Sequence, residues 1–314
     1  MEMMLAELIE KLFIVSNRIW LLESDIRQGK EKELGLEEVG RRALAIRDLN
    51  KQRIAYKNAI NESFDKKNAL KEIKVNHRSE DFKQLDEGTM LGGLIKLIRT
   101  AEIKDLKNVK AMENMLLELG LEDERCDQYY PKRFHKYCGK GLKVSQYPNQ
   151  FAEYLVYLSD KKISSYMEIG TRWGGSFIIT VEYLKRFGKI GNCAICDRIG
   201  ETEHLREYHK FQKFTYLQMS SGSMRFRNYL KNRKFGLILI DGFHHGGMPE
   251  YDFNSTRDKS KYLAIHDIRS IHSLEVVDLW NKLKRNKKYN SVSFVQRYPE
   301  MKNEYMGMGI LEKK

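Results

Sequence analysis

The spacing of apolar residues changes along this chain, and each change marks a different kind of structure. Leu5, Leu8, Ile9, Leu12, Phe13, Ile19, Trp20 and Ile26 recur at helical spacing, which predicts an amphipathic helix to about Gln28. Gly29 and Gly35 bracket a charged turn. Val39, Ala43, Ile46, Leu49, Tyr56, Ile60 and Phe64 then repeat the helical pattern. Two such helices make an antiparallel hairpin over residues 1–65. One hairpin buries little apolar surface by itself, so it is expected to pack on a copy of itself or on another domain, giving a homo-oligomer. A polar, mixed-charge linker follows to about Gly88, and Leu91 to Leu119 reads as a helical segment rich in Leu, Ile and Lys. Residues 66–146 thus form a linker and helical connector.

From about residue 147 the pattern alternates. An amphipathic helix runs to Asp160, and Tyr166-Met-Glu-Ile169 reads as a buried strand. Ser176 to Phe187 is helical, Asn192 to Asp197 a strand, Glu201 to His209 a helix and Phe214 to Gln218 a strand. Phe226 to Asn232 is helical again, and Gly236-Leu-Ile-Leu-Ile-Asp241 is an almost wholly apolar strand. Such a run fits a strand covered on both faces, as in a parallel α/β sheet. Tyr262 to Ile265 continues the series, Leu274 to Leu283 is a helix around Trp280, and Ser291–Gln296 and Tyr305–Leu311 close it as two strands. The predicted class is α/β: a seven-stranded Rossmann-like sheet with helices on both faces over residues 147–314, preceded by the helical hairpin.

Chemistry concentrates at the ends of these strands. In Tyr166 to Ser176 a strand gives way to a glycine turn and the first turn of a helix, which leaves backbone N–H groups facing a crevice at the carboxyl end of the sheet. A dinucleotide fingerprint needs glycine where Arg172 stands, and no Gly-Lys-Ser/Thr follows as a phosphate loop would require. Glu168 is expected at the strand's end, pointing an anion into the crevice; it repels phosphate and suits a cationic ligand or an amino group. The form Glu168-Ile-Gly170-Thr171-x-x-Gly174-Gly175-Ser176 resembles the glycine motif of class I S-adenosylmethionine-dependent methyltransferases. It is most similar to the branch with the cephalosporin-hydroxylase-like and macrocin O-methyltransferase-like proteins, over about residues 147–314. The resemblance implies that these residues bind S-adenosyl-L-methionine, together with Asp197 and Arg198 after the second strand, Ser220 and Ser221 after the third, and Asp241. Asp197 stands where an acid can accept hydrogen bonds from ribose hydroxyls, and the serines can meet an adenine edge.

A second centre is Asp241-Gly-Phe-His244-His245, answered by His266-Asp267 after the next strand. Adjacent parallel strands end side by side, so these groups are expected to converge. Two carboxylates with imidazoles suit a divalent metal, and a histidine near neutral pKa suits a general base. His244, His245 and His266 are the candidate catalytic residues, and Asp241, His266 and Asp267 the candidate ligands for Mg2+ or Mn2+. The family's first acid of the pair after the fifth strand is His266 here, a softer donor. Arg257, Arg269 and Arg297 are candidates for an anionic acceptor, with Met248-Pro-Glu-Tyr-Asp-Phe253 as a loop covering it.

Composition refines this picture. A net charge of +13 over 314 residues implies attraction to phosphates, nucleic acid or anionic surfaces. Cys126 to Tyr137 interleaves aromatic and basic residues, which can stack bases, cover a sugar, or join surface to core. Four cysteines are too few and too scattered for a disulfide framework, and Cys193-x-x-Cys196 reads as core packing in a reducing cytoplasm. No apolar run is long enough to span a bilayer, and the acidic start lacks the basic region of a signal peptide. Three functions compete. The first is a cytoplasmic O-methyltransferase on a small hydroxylated, sugar-containing or anionic acceptor, such as a nucleotide-linked sugar of surface-polysaccharide or natural-product biosynthesis. The second, less favoured, is an RNA or other nucleic-acid methyltransferase. The third is a non-catalytic assembly protein that keeps the fold.

Overall fold

The computed structural model describes residues 5–27, 31–66, 90–302 and 305–314. The linker expected at about 65–88 lies almost wholly outside the described residues. The chain divides into two compact units, Met1–Asp81 and Phe82–Lys314.

The first unit is a pair of helices, Leu5–Arg27 and Glu31–Lys66, the second interrupted where Gly35 takes φ +75°. Val15, Ile19 and Leu49 form its small core, with Leu22, Ile46 and Tyr56 packed around them. Glu38 pairs with both Arg41 and Arg42 on the outside.

The second unit is built on a seven-stranded sheet: β1 Ser165–Ile169, β2 Asn192–Asp197, β3 Thr215–Gln218, β4 Phe235–Ile240, β5 Ser260–His266, β6 Tyr289–Phe294 and β7 Met308–Lys313. The order is β3-β2-β1-β4-β5-β7-β6. Pairs from β3 through β5 are parallel, and β7 runs antiparallel to both β5 and β6. The alternating pattern predicts the seven strands, and their order is that of the methyltransferase fold the resemblance implies. Successive side chains of a strand point to opposite faces, so Tyr166, Ile195, Leu237 and Ala264 join one core while Met167, Cys196, Ile238 and Leu263 join the other. Cys193 and Cys196 accordingly lie free and buried on opposite faces.

Leu91 to Leu119 is not one helix but three, Met90–Thr100, Ile103–Leu106 and Val109–Leu119. The last starts where the Asn108 side chain accepts from Ala111 N at 3.0 Å, a capping bond that favours a fresh helix start. Leu91, Ile95, Ile98 and Leu106 are fully buried in the first core, so this segment folds with the sheet from which residues 66–146 had been divided. Arg99 ties it down: its guanidinium donates to both oxygens of Glu182, at 2.5 and 3.0 Å. Glu182 is wholly buried on helix Gly175–Lys185 and also receives the Tyr208 hydroxyl at 2.6 Å.

The cysteine expectation is corrected at one pair. Cys126 and Cys138 form a disulfide across 12 positions, with Cα atoms 6.3 Å apart. Leu121 N donates to Tyr137 O and Gly139 N to Leu121 O; that return of the chain brings the two thiols together, which spacing alone does not reveal. The bridge runs against the reducing compartment inferred from the cysteine count. Among the described residues no helix is long and apolar enough to cross a membrane.

Candidate functional site

A cleft of about 1260 Å³ opens at the carboxyl ends of β1, β2, β4 and β5. Strand order reverses between β1 and β4, and that switch point is where open α/β sheets leave room for a ligand. The glycine turn forms the floor. Gly170 has φ +80°, and a Cβ there would lie 2.0 Å from the Asp241 carbonyl oxygen, so only glycine lets β1 and β4 end this close together. Gly174 caps helix Gly175–Lys185 in the left-handed region, with the Leu205 side chain 2.5 Å from where a Cβ would stand. Asp197, at the end of β2, braces the turn from the other side. Its Oδ2 accepts from Thr171 N at 2.7 Å and Arg172 N at 3.0 Å, and its Oδ1 from Ile199 N at 2.9 Å.

Gly170, Thr171, Gly175 and Ser176 line the cleft, as do Asp197, Arg198, Ser220, Ser221 and Asp241. Gly174 shapes the turn from behind. Glu168 departs from expectation: it does not face the crevice. Ile169 is the last residue of β1, and alternation turns Glu168 under the following helix, where it has no exposure. Its carboxyl receives the Tyr166 hydroxyl at 2.5 Å and the Ser176 hydroxyl at 2.6 Å. Burial pushes Glu168 up to about 7 in spite of those two hydrogen bonds. Its visible job is to pin the helix start to β1.

The second centre does converge. β4 and β5 pair with Ile240 opposite Ile265, which sets Asp241 beside His266. His266 Nδ1 lies 2.9 Å from Asp241 Oδ1 and 3.4 Å from Asp267 Oδ1. His244 bridges the same two acids, Nε2 at 3.4 Å from Asp241 Oδ1 and Nδ1 at 3.2 Å from Asp267 Oδ2. Ser273 donates to Asp267 Oδ2 at 2.9 Å, and Gln146 donates to Asp241 Oδ2 at 3.4 Å. Burial works against the His266 imidazolium, but Asp241 and Asp267 outweigh it and hold His266 at about 9. Burial likewise disfavours the Asp241 carboxylate, yet His266 and His244 bring it down to about 2. For His244 burial opposes the charge, and Asp241 and Asp267 again prevail, leaving it above the ordinary histidine value.

The candidate metal ligands Asp241, His266 and Asp267 are thus brought together, paired with one another. Among the described residues no group of three or more His, Cys, Asp or Glu side chains is arranged to hold a metal ion. His245 lines the cleft outside the cluster, exposed and edge-on to Phe243.

The acceptor candidates fare differently. Arg257, Arg269 and Arg297 are not on the cleft wall. Met248–Thr256 is a helix rather than a covering loop, with Met248 reaching the cleft. In their place stand residues that the motifs did not mark. Lys143, Gln146 and Trp173 line the cleft beside the glycine turn, and Arg125, Gln128, Tyr129, His272 and Tyr305 line it beyond the cluster. Of these, Gln128 and Tyr129 belong to the aromatic-basic run from Cys126 to Tyr137, and Trp173 lies within the glycine turn. Arg172 is engaged by Glu124.

No family model and no curated protein matches the chain. Among solved structures it is similar to the O-methyltransferase TomG from Streptomyces achromogenes, a tomaymycin-synthesis protein in complex with SAM. That likeness is 13% identity over 68% of this chain and 100% of that one, with a TM-score of 0.43. An O-methyltransferase from Bacillus cereus with bound SAH gives 12% identity, 73% and 100% coverage and a TM-score of 0.41. The SAH-bound Podospora anserina methyltransferase PaMTH1 gives 12%, 72%, 88% and 0.39. Identities this low carry no residue roles across.

Proposed function

We propose that the chain is an S-adenosylmethionine-dependent O-methyltransferase acting on a small hydroxylated acceptor such as a sugar or nucleotide-linked sugar. The observation that carries it is the single cleft at the sheet's switch point, which joins the glycine turn and Asp197 at one side to the Asp241–His244–His266–Asp267 cluster at the other. When bound, the cofactor supplies an electrophilic methyl carbon on a sulfonium. The glycine turn and Asp197 hold its nucleoside side, and Asp197 keeps lone pairs for ribose hydroxyls on oxygens already fixed by backbone N–H groups. The acceptor's proton passes to His244, which lines the cleft and is more exposed than His266. Asp241 and Asp267 flank the imidazolium so formed.

No step is derived through a metal, because among the described residues no group of three or more His, Cys, Asp or Glu side chains is arranged to hold one. Calorimetry with S-adenosylmethionine and S-adenosylhomocysteine, each with and without Mg2+ or Mn2+, tests both statements. No binding at millimolar cofactor would end the methyltransferase reading. Metal-dependent turnover abolished by Asp267→Ala would restore a metal centre.

The hairpin of the first unit we assign to pairing with a second copy of the chain. Ile9, Phe13 and Trp20 are 51%, 66% and 60% exposed. At 3.6 residues per turn they fall on one stripe of helix Leu5–Arg27, beside the stripe that holds Val15 and Ile19. Light scattering on the full chain should give a dimer or higher oligomer, reduced to monomer by Phe13→Asp with Trp20→Asp. A monomeric wild type refutes the assignment.

A further inference from the structure

The strand order divides the cleft. Asp197 and Ser220 stand at the ends of β2 and β3, whereas His272 follows β5 and Tyr305 precedes β7. From β2 to β5 there are three strand spacings, roughly 14 Å at about 4.8 Å each. The Asp241–His266 cluster lies at the ends of β4 and β5, toward the His272 side. A cleft of about 1260 Å³ is larger than the roughly 300–1,000 Å³ that suits one drug-sized ligand, so the far end has room for a second molecule of similar bulk. A free monosaccharide leaves most of that space empty.

The wall at that end has a definite chemistry. The Tyr129 and Tyr305 rings are 5.0 Å apart at 49°, and Tyr305 stacks on His272 at 5.5 Å and 17°. Tyr305 is buried and anchors this ladder, while Tyr129 is half-buried and His272 exposed. Gln128 Nε2 lies 3.4 Å from His272 Nε2. Arg125 uses one of its five N–H donors on the Tyr129 hydroxyl, at 2.5 Å, which leaves the guanidinium fork beside the rings. The Cys126–Cys138 bridge fastens the short helix that carries Gln128 and Tyr129. Among the described residues the carboxylates lining the cleft are Asp197, Asp241 and Asp267, while Glu122 and Glu124 act on Arg125 from outside it.

Resting on the methyltransferase reading, we propose that this wall binds the nucleoside diphosphate part of the acceptor. A planar base stacks on the Tyr129–Tyr305–His272 ladder, the diphosphate meets Arg125, and the attached sugar extends toward His244. The acceptor is then a nucleotide-linked sugar rather than a free sugar or a simple phenol. Aromatic stacking is tolerant of base identity, so the rings select the nucleotide class and leave the particular base to Gln128 and its neighbours.

The test uses the full chain saturated with S-adenosylhomocysteine, with UDP, GDP and dTDP titrated separately, and glucose and catechol as the competing chemistries. At least one nucleoside diphosphate should bind, and it should bind more tightly than its free nucleoside, glucose or catechol. His272→Ala, at the exposed end of the ladder, should weaken that binding roughly ten- to a hundredfold, the range for loss of a base-stacking ring. Arg125→Ala, at an exposed side chain, should weaken the diphosphate at least fivefold while leaving the nucleoside unchanged. Both variants should keep S-adenosylhomocysteine affinity. If wild type binds S-adenosylhomocysteine but none of the diphosphates, or binds catechol or glucose better, this inference fails while the methyltransferase reading stands. If S-adenosylhomocysteine does not bind at all, both fail. Equal loss of S-adenosylhomocysteine and diphosphate in Arg125→Ala would also overturn it, since that reports general damage rather than a subsite.

Discussion

Replacing Asp241 by Asn removes the nearer carboxylate facing His266, 2.9 Å from Nδ1, and leaves Asp267 at 3.4 Å. In the native protein His266 is held at about 9 against an ordinary 6.5. At about 1.4 kcal/mol for each pH unit, that rise is worth roughly 3 kcal/mol of folding free energy. The folded protein binds this proton more tightly than the unfolded chain does. The contribution is therefore complete below about pH 6.5 and is lost as pH rises through about 9. The lowered Asp241 carboxyl is the same ion pair seen from its other member, so the two are not added. In Asp241→Asn, burial of His266 is opposed by Asp267 and, more weakly, Glu168, and its titration should fall by roughly one to two pH units. Following the His266 Cε1 proton by NMR between pH 5 and 10 reads this directly. Urea unfolding at about pH 6 and pH 10 gives the stability side, with the wild-type advantage shrinking at the alkaline end. A wild-type His266 titrating near 6.5, or one that Asp241→Asn does not move, would refute the ion-pair account.

Arg99→Ala should destabilise the sheet-bearing unit by about 3–5 kcal/mol in urea unfolding, because it strips the principal cation from a wholly buried Glu182; a loss below about 1 kcal/mol would mean that Lys185 and Tyr208 suffice. Asp252 is 1% exposed with neither carboxyl oxygen hydrogen-bonded, and burial pushes it up to about 6, moderated by Ser221. Its folded-state value is raised, so the wild type loses stability as pH rises through about 6. Asp252→Asn should then gain up to about 3 kcal/mol at pH 8 and nothing at pH 4, and an equal gain at both would exclude titration as the cause. Gly170→Ala forces a methyl into the Asp241 carbonyl at a positive φ, and should abolish S-adenosylhomocysteine binding or prevent soluble folding; native-like affinity would show that the turn yields.

The helices of the hairpin, the seven strands and the acids closing β2 and β4 were legible because each is written locally. A run such as Leu237 to Ile240 has one stable use, a strand covered on both faces, and Gly170 and Gly174 sit where the backbone needs φ values other residues avoid. The strand-end residues that line the cleft were marked by the same local signals. What the chain could not state locally, the tertiary structure decided. Glu168 turned away from the cleft because β1 runs one residue further, and a shift of one residue reverses the face. Leu91 to Leu119 broke into three helices to lay its apolar residues on a sheet that begins much later in the chain. His266 became an imidazolium only through the balance of its own burial against two carboxylates, one from another strand. The ladder of Tyr129, His272 and Tyr305 joins residues from distant parts of the chain. Hydrophobic period and turn residues report on neighbours in sequence, whereas charge, exposure and convergence depend on neighbours in space.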